Sequence, residues 1–163
     1  MKALFVGRFQ PFHKGHLHAV RVTVARHGSV IIAIGSSNQS RTSQNPFTAV
    51  ERKKMIVAAL AGEPKLRGKY SFELLPDVGN DKRWTKLVLS KTKFEVVVTG
   101  NKWVKRCLSP YAKVETPDFL RRAEYNATRI RTLILKGGKW KKLVPPKVVK
   151  VLEPILKKIV VED

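Results

Sequence analysis

"GRFQPFHKGHLHAV", residues 7–20, follows the apolar run "KALFV" at 2–6 and gathers His13, His16 and His18 where a strand gives way to a helix. Leu17, Val20 and Val24 recur at helical spacing through "GHLHAVRVTVARHG" (15–28), which places the helix start near Gly15. His13 and His16 then lie three residues apart around Gly15, with both imidazoles on one face of the first turn. Backbone N–H groups without intrahelical partners and the positive end of the helix dipole sit at that turn, and both favour a phosphate. Gly7 and Gly15 permit close backbone approach, and Pro11 has no N–H to leave unsatisfied. The cluster suits a polyphosphate. A zinc ion is the competing ligand, but no carboxylate or cysteine accompanies the histidines in sequence. Neither the G-x-G-x-x-G of a dinucleotide fold nor the G-x-x-x-x-G-K-[ST] of a P-loop is present after the first strand.

Outward from this stretch, short apolar runs alternate with helical patterns. "KALFVG" (2–7), "SVIIAIGS" (29–36), "YSFELLP" (70–76), "FEVVVTG" (94–100) and "KVETP" (113–117) read as strands, the second and fourth continuous enough to be buried on both faces. "TAVERKKMIVAALAG" (48–62) reads as a second helix with Val50, Ile56, Val57 and Leu60 as its apolar stripe. Strand, helix, strand, helix predicts crossover units and an α/β fold, a doubly wound Rossmann-like parallel sheet. Past residue 125, "NATRIRTLILKGGKW" and "PPKVVKVLEPILKKI" read as short helices, with Pro145–Pro146 marking a helix start. A single domain over 1–163 is expected, an α/β core at 1–120 followed by a small C-terminal helical segment at 121–163. Ligands of such sheets bind outside the carboxyl ends of the strands. The segments to search are therefore "GRFQPFHKGH", "SSNQSRTSQNPFTAVER", "DVGNDKRW" and "TGNKW".

With 163 residues and 43% hydrophobic content, the chain is long and apolar enough for a folded core. Its single cysteine, Cys107, excludes an internal disulfide and a Cys-rich zinc site. No secretory signal and no membrane-length apolar run is visible, so a cytoplasmic protein without a membrane partner is expected. The formal charge of +21 attracts nucleotides, RNA and acidic membranes alike, and its basic residues are spread along the chain rather than held in a tail.

The opening motif resembles the signature of the nucleotidyltransferase superfamily whose H-x-G-H binds ATP or CTP phosphates, and in particular the archaeal nicotinamide-nucleotide adenylyltransferases. "IGSSNQSRTSQNPFTAVER", "PDVGNDKRW", "TGN" and "YNATRIR" are similar to that family's further motifs, in order, over residues 1 to about 155. The resemblance implies NAD biosynthesis: transfer of the adenylyl group of ATP to nicotinamide mononucleotide (NMN), giving NAD and pyrophosphate. It implies catalytic roles for His13, His16 and Arg8, with Gly7, Phe9, Gly100, Asn101, Asn126, Thr128 and Arg131 completing the ATP site. Ser36, Phe47, Arg52, Asp77 and Trp84 would form the NMN site, Trp84 stacking on the cationic nicotinamide ring. Arg52 reads as either a phosphate ligand or a solvated helix arginine, and Trp103 and Trp140 read as packing residues. Where serine or glycine is usual in the last motif the chain has Asn126 and Ala127. Where the family places asparagine four residues after the loop aspartate, it has Asn80 at three and Asp81 at four. Magnesium would travel with the triphosphate, since no acidic pair marks a protein-only site, and a homo-oligomer is implied.

Two other readings stay open. A sister enzyme using nicotinic acid mononucleotide, phosphopantetheine or a cytidylyl acceptor would share the histidine motif. From a different class, the charge allows a nucleic-acid-binding protein on the same scaffold.

Overall fold

The structure, a computed structural model, describes residues 2–159. Five parallel strands, β1 (Lys2–Gly7), β2 (Ser29–Gly35), β3 (Tyr70–Leu75), β4 (Val96–Val98) and β5 (Lys113–Glu115), lie in the order β3-β2-β1-β4-β5. Each expected strand is present. The last two are shorter than their apolar runs because Thr99 and Gly100 turn into the next helix, and Thr116 and Pro117 leave the ladder. β1 is central, Leu4 pairing with Ile31 on one side and Val97 on the other. β2 and β4 are buried along almost their whole length, as continuous apolar runs require between two helical layers.

Helices α1 (Lys14–His27), α2 (Ala49–Ala61), α3 (Asp81–Lys91), α4 (Lys102–Leu108), α5 (Ala127–Leu135) and α6 (Pro146–Leu156) follow in chain order. Strand side chains alternate between the two sheet faces. Ala3, Phe5, Ile32, Ile34 and Val98 face a core completed by Leu17, Val20 and Val24 of α1, Ile56 and Leu60 of α2, Ile130 of α5 and Val148 of α6. Leu4, Val6, Ile31, Ala33 and Val97 face the other, closed by Trp84 and Val88 of α3 and Val104 and Leu108 of α4. Helices on both faces make the sheet doubly wound. Pro146 opens α6, where its missing N–H costs nothing. The C-terminal helical segment is present through Ile159; residues 160–163 lie outside the described residues. Among the described residues no helix is long and apolar enough to cross a membrane.

The stripe on α2 differs from the sequence expectation. Ile56 and Leu60 are buried, but Val50 and Val57 are 63% and 42% exposed. The buried face runs through Ala49, Arg52, Met55, Ile56, Ala59 and Leu60. Hydropathy treats an arginine as a surface residue, and placing Arg52 outside rotates the apparent stripe by one position, about 100°. α2 starts where Thr48 accepts from the Glu51 N–H and Glu51 Oε1 accepts from the Thr48 N–H, a capping box. Ile56→Ala is expected to lower unfolding free energy by about 2–5 kcal/mol, and Val57→Ala to change it by no more than about 0.5 kcal/mol. Urea unfolding of the two variants measures both.

Candidate active site

The strand order reverses between β1 and β4, which makes the crevice outside their carboxyl ends the ligand site of this topology. The segments after β1 and β4 meet there.

His13 is the N-cap of α1. Its Nδ1 accepts from the His16 N–H at 3.3 Å, while His16 Nδ1 accepts from the His13 N–H at 3.2 Å. Two imidazoles thus form a reciprocal capping box, with ring centroids 3.6 Å apart and planes within 23°. Phe12 and Phe9 pack against the His16 ring at 5.4 and 4.9 Å. Burial lowers the His13 pKa to about 3, and burial together with the neighbouring His13 holds His16 well below its ordinary value. Both rings are neutral near pH 7. Because each Nδ1 is an acceptor, the proton resides on Nε2, so each ring keeps one N–H to donate. Gly15 is needed for this: a Cβ there would stand 2.9 Å from His13 Cε1. His18 belongs elsewhere, its Nε2 lying 3.3 Å from Asp118 Oδ2.

Residues 8–10 are held from two sides. The Arg52 side chain, fully buried, donates to the carbonyls of Thr48 (3.2 Å), Arg8 (2.9 Å), Gly35 (2.7 Å) and Ser36 (3.1 Å). It is therefore neither a solvated arginine nor available to a phosphate, which corrects both readings of it. Arg131 Nη1 donates to the Gln10 carbonyl at 3.0 Å and its Nη2 to Thr128 Oγ1 at 3.3 Å. The buried Gln10 side chain donates to the Phe47 carbonyl and accepts from the Phe47 N–H. Phe47 is itself 1% exposed and packs in the core. Gly7 leaves room for Phe9, since a Cβ at Gly7 would meet the Phe9 ring at 2.8 Å. Phe9 is buried and adopts φ of +54°, a strained conformation for a bulky residue.

Arg8 is exposed beside these guanidinium groups. Burial first, and the Arg8 charge second, lower Arg52 to about 10 and push Arg131 below its ordinary value. Three arginines converge, an arrangement that a polyanion relieves.

A second hollow of about 260 Å³ adjoins the carboxyl end of β3, lined by Asp77, Val78, Gly79, Asn80, Asp81, Trp84 and Trp103. Ser36 Oγ donates to Asp77 Oδ1 at 3.1 Å, and the Asn38 amide exchanges two hydrogen bonds with the Asp77 backbone. Trp84 is 3% exposed and leans on Trp103, with centroids 4.5 Å apart. Trp103, read from sequence as packing, is thus a wall of the hollow, its Nε1 donating to Asp81 Oδ1 at 2.9 Å. Asn80 is consumed as the cap of α3, and Asp81 supplies the carboxylate one position later.

Gly100 and Asn101 follow β4. Asn101 caps α4 by accepting from the N–H groups of Trp103 and Val104. The Phe119 ring covers Gly100, where a Cβ would stand 2.6 Å from it, and Arg122 lies over that ring at 4.5 Å. Asn126 caps α5, its Oδ1 accepting from the Arg129 N–H at 2.8 Å, so asparagine substitutes for the usual serine as a cap. Thr128 sits in the first turn behind it. The sequence reading gave no site role to Gln10, Asn38, Trp103 or Phe119, and singled out Asp81 only as a departure from the family pattern. Gln10 and Asn38 lie within motif segments and Trp103 beside the right strand, and nothing in sequence marks Phe119.

Residues 4–134 match the cytidylyltransferase-like family. The nicotinamide-nucleotide adenylyltransferase of Picrophilus torridus is 42% identical over 161 residues, covering 95% of this chain and 92% of that protein. The proteins of the same name from Thermococcus sibiricus and Saccharolobus solfataricus are 39% and 40% identical, over 95% and 91% of this chain and 84% and 88% of their own lengths. A bifunctional NMN adenylyltransferase/ADP ribose pyrophosphatase from Francisella tularensis, solved with AMP and an Mn ion, superposes with a TM-score of 0.78 at 26% identity. The match covers 96% of this chain and 52% of that one, so this chain spans about half the length of the bifunctional protein.

The neutral histidines carry a pH signature. Unfolding returns His13 from about 3 to its ordinary 6.5, so the unfolded chain binds more protons between those values. The contribution of His13 to stability is complete above about pH 6.5 and is lost as the pH drops toward 3. Urea unfolding at about pH 7.5 and about pH 5, the latter above the carboxylate range, is expected to show a smaller loss in His13→Asn than in the unaltered chain, since asparagine also caps. An equal loss contradicts the assignment.

Proposed function

The chain belongs to the cytidylyltransferase-like family, and on that premise we propose that it transfers the adenylyl group of ATP to nicotinamide mononucleotide, releasing pyrophosphate and forming NAD. The observation that carries this reading is the reciprocal His13–His16 cap, which leaves two oriented Nε2–H donors at the N-terminus of α1, just after the loop that carries Arg8 and that Arg131 holds at Gln10.

The acceptor phosphate of NMN is already an anionic nucleophile. It attacks the α-phosphorus of ATP, the new P–O bond forming as the bond to the bridging oxygen breaks, and that electron pair leaves on pyrophosphate. No side chain has to remove a proton, so catalysis rests on positioning and charge stabilisation. His13 and His16 donate to the oxygens on which charge grows. A fixed neutral donor needs no proton uptake as the triphosphate arrives. Arg8 adds charge from the β1 side. The first N–H groups of α5, with Thr128, suit the distal phosphates. Arg131 contributes charge while anchoring Gln10.

For the mononucleotide, the Trp84–Trp103 hollow offers aromatic walls, and Asp77 and Asp81 offer negative charge, to a cationic pyridinium ring. The donor set does not suit a resident metal: among the described residues no three His, Cys, Asp or Glu side chains group together. Magnesium then arrives with ATP as part of the substrate, held by phosphate oxygens and water. Assembly into a homo-oligomer and residence in the cytoplasm belong to the same reading.

Purified protein incubated with ATP, magnesium and nicotinamide mononucleotide is expected to give NAD and pyrophosphate in equal amounts. His16→Ala, which removes one oriented donor, is expected to lower the rate roughly 10²–10³-fold. ATP turnover without NAD would reassign the acceptor, and nicotinic acid mononucleotide is the first alternative to assay.

A further inference from the structure

A hollow of about 590 Å³ lies outside the crevice described above, between the outer faces of α3 and α4. That is within the size range of small-molecule pockets. Its walls divide by chemistry. Lys82, Lys86 and Leu89 stand along one face of α3, at positions spaced four and three apart. Opposite them are Arg106 of α4 and Tyr111 just beyond it. Tyr111 is 61% exposed and Leu89 37% exposed. Among the lining residues, three cations stand with one carboxylate, Asp81.

Asp81 is also the point where this hollow touches the Trp84–Trp103 hollow, for it lines both. Its Oδ1 accepts from Trp103 Nε1 at 2.9 Å, and its Oδ2 lies 3.7 Å from Arg106 Nη2. An anion bound to Arg106 competes with Asp81 for that guanidinium, and a change at Asp81 is felt by the Trp103 indole. We propose that the α3–α4 hollow is a second binding site, for an aromatic phosphate, coupled through Asp81 to the tryptophan hollow. The ring would lie on Tyr111 and Leu89, an apolar surface with a polar tip. Its phosphate would meet Lys82, Lys86 and Arg106, the arginine offering the planar fork that suits phosphate oxygens. Its lining shares only Asp81 with the hollow assigned above to the mononucleotide.

The test uses phenyl phosphate as the probe, with binding followed by calorimetry on the full chain. Saturable binding is expected, retained within about twofold in Arg8→Ala and weakened about tenfold or more in both Lys86→Glu and Tyr111→Ala. Inorganic phosphate is expected to bind more weakly than the probe. Saturation is also expected to shift tryptophan emission, and Trp103→Phe is expected to lose that shift. Both surface variants touch neither core, and an unaltered urea midpoint verifies that they fold. Absence of saturable binding overturns the site. Binding lost in Arg8→Ala but kept in Lys86→Glu places the probe in the histidine cradle and overturns it equally. Phosphate binding as tight as the probe removes the aromatic part of the assignment, and an unchanged emission removes the coupling.

Discussion

A guanidinium group whose hydrogen bonds all go to backbone carbonyls sits at the head of the sheet. Arg52 reaches from α2 to the end of β2 at Gly35 and Ser36, and to Arg8 just past β1. Backbone carbonyls at strand ends lose their ladder partners, and burying them unpaired costs about 1–3 kcal/mol each. One planar cation satisfies several at once, in a geometry that no ammonium reproduces. Its position therefore fixes where two loops leave the sheet. Arg131 from α5 and the Gln10–Phe47 pair complete the restraint on residues 8–10. His13 and the start of α1, next along the chain, inherit that placement.

The electrostatics of the site depend on the same restraint. Arg52 and Arg131 are charged and desolvated, and Arg8 adds a third positive charge that both of them feel. A fold tolerates such crowding when the hydrogen bonds are satisfied and a polyanion can neutralise the charge. The histidines respond to burial differently, by staying neutral. Their mutual cap then decides the tautomer. The cradle combines permanent positive charge from arginine with directional N–H groups from imidazole. That division of labour suits a triphosphate whose charge shifts during reaction rather than one that is merely held.

The five strands, the first two helices, the C-terminal helices and the histidine turn were legible in the chain because each rests on local pattern. β2 and β4 are continuous apolar runs, α1 carries Leu17, Val20 and Val24 at helical spacing, and Pro145–Pro146 marks the start of α6. The errors arose where tertiary contact overrides type. Arg52 occupies a motif position, yet the fold uses it inside, to pair carbonyls. Val50 and Val57 are apolar, yet they face out because Arg52 takes the inner face of α2. Trp103 and Phe119 come to the site from segments whose own sequence shows only a short helix and a loop. No local signal encodes which distant glycine or tryptophan such a ring will meet.

Arg52 acts by holding backbone rather than by holding substrate. Backbone hydrogen exchange followed by mass spectrometry, comparing the unaltered chain with Arg52→Lys, separates the two roles. Lysine keeps the charge and loses the fork. Faster exchange is expected over residues 8–16 and 35–48, where the tethered loops lie, with the centre of β1 unchanged. Unaltered exchange in those loops, together with a raised KM for NMN, would refute the backbone role and return Arg52 to that of a phosphate ligand.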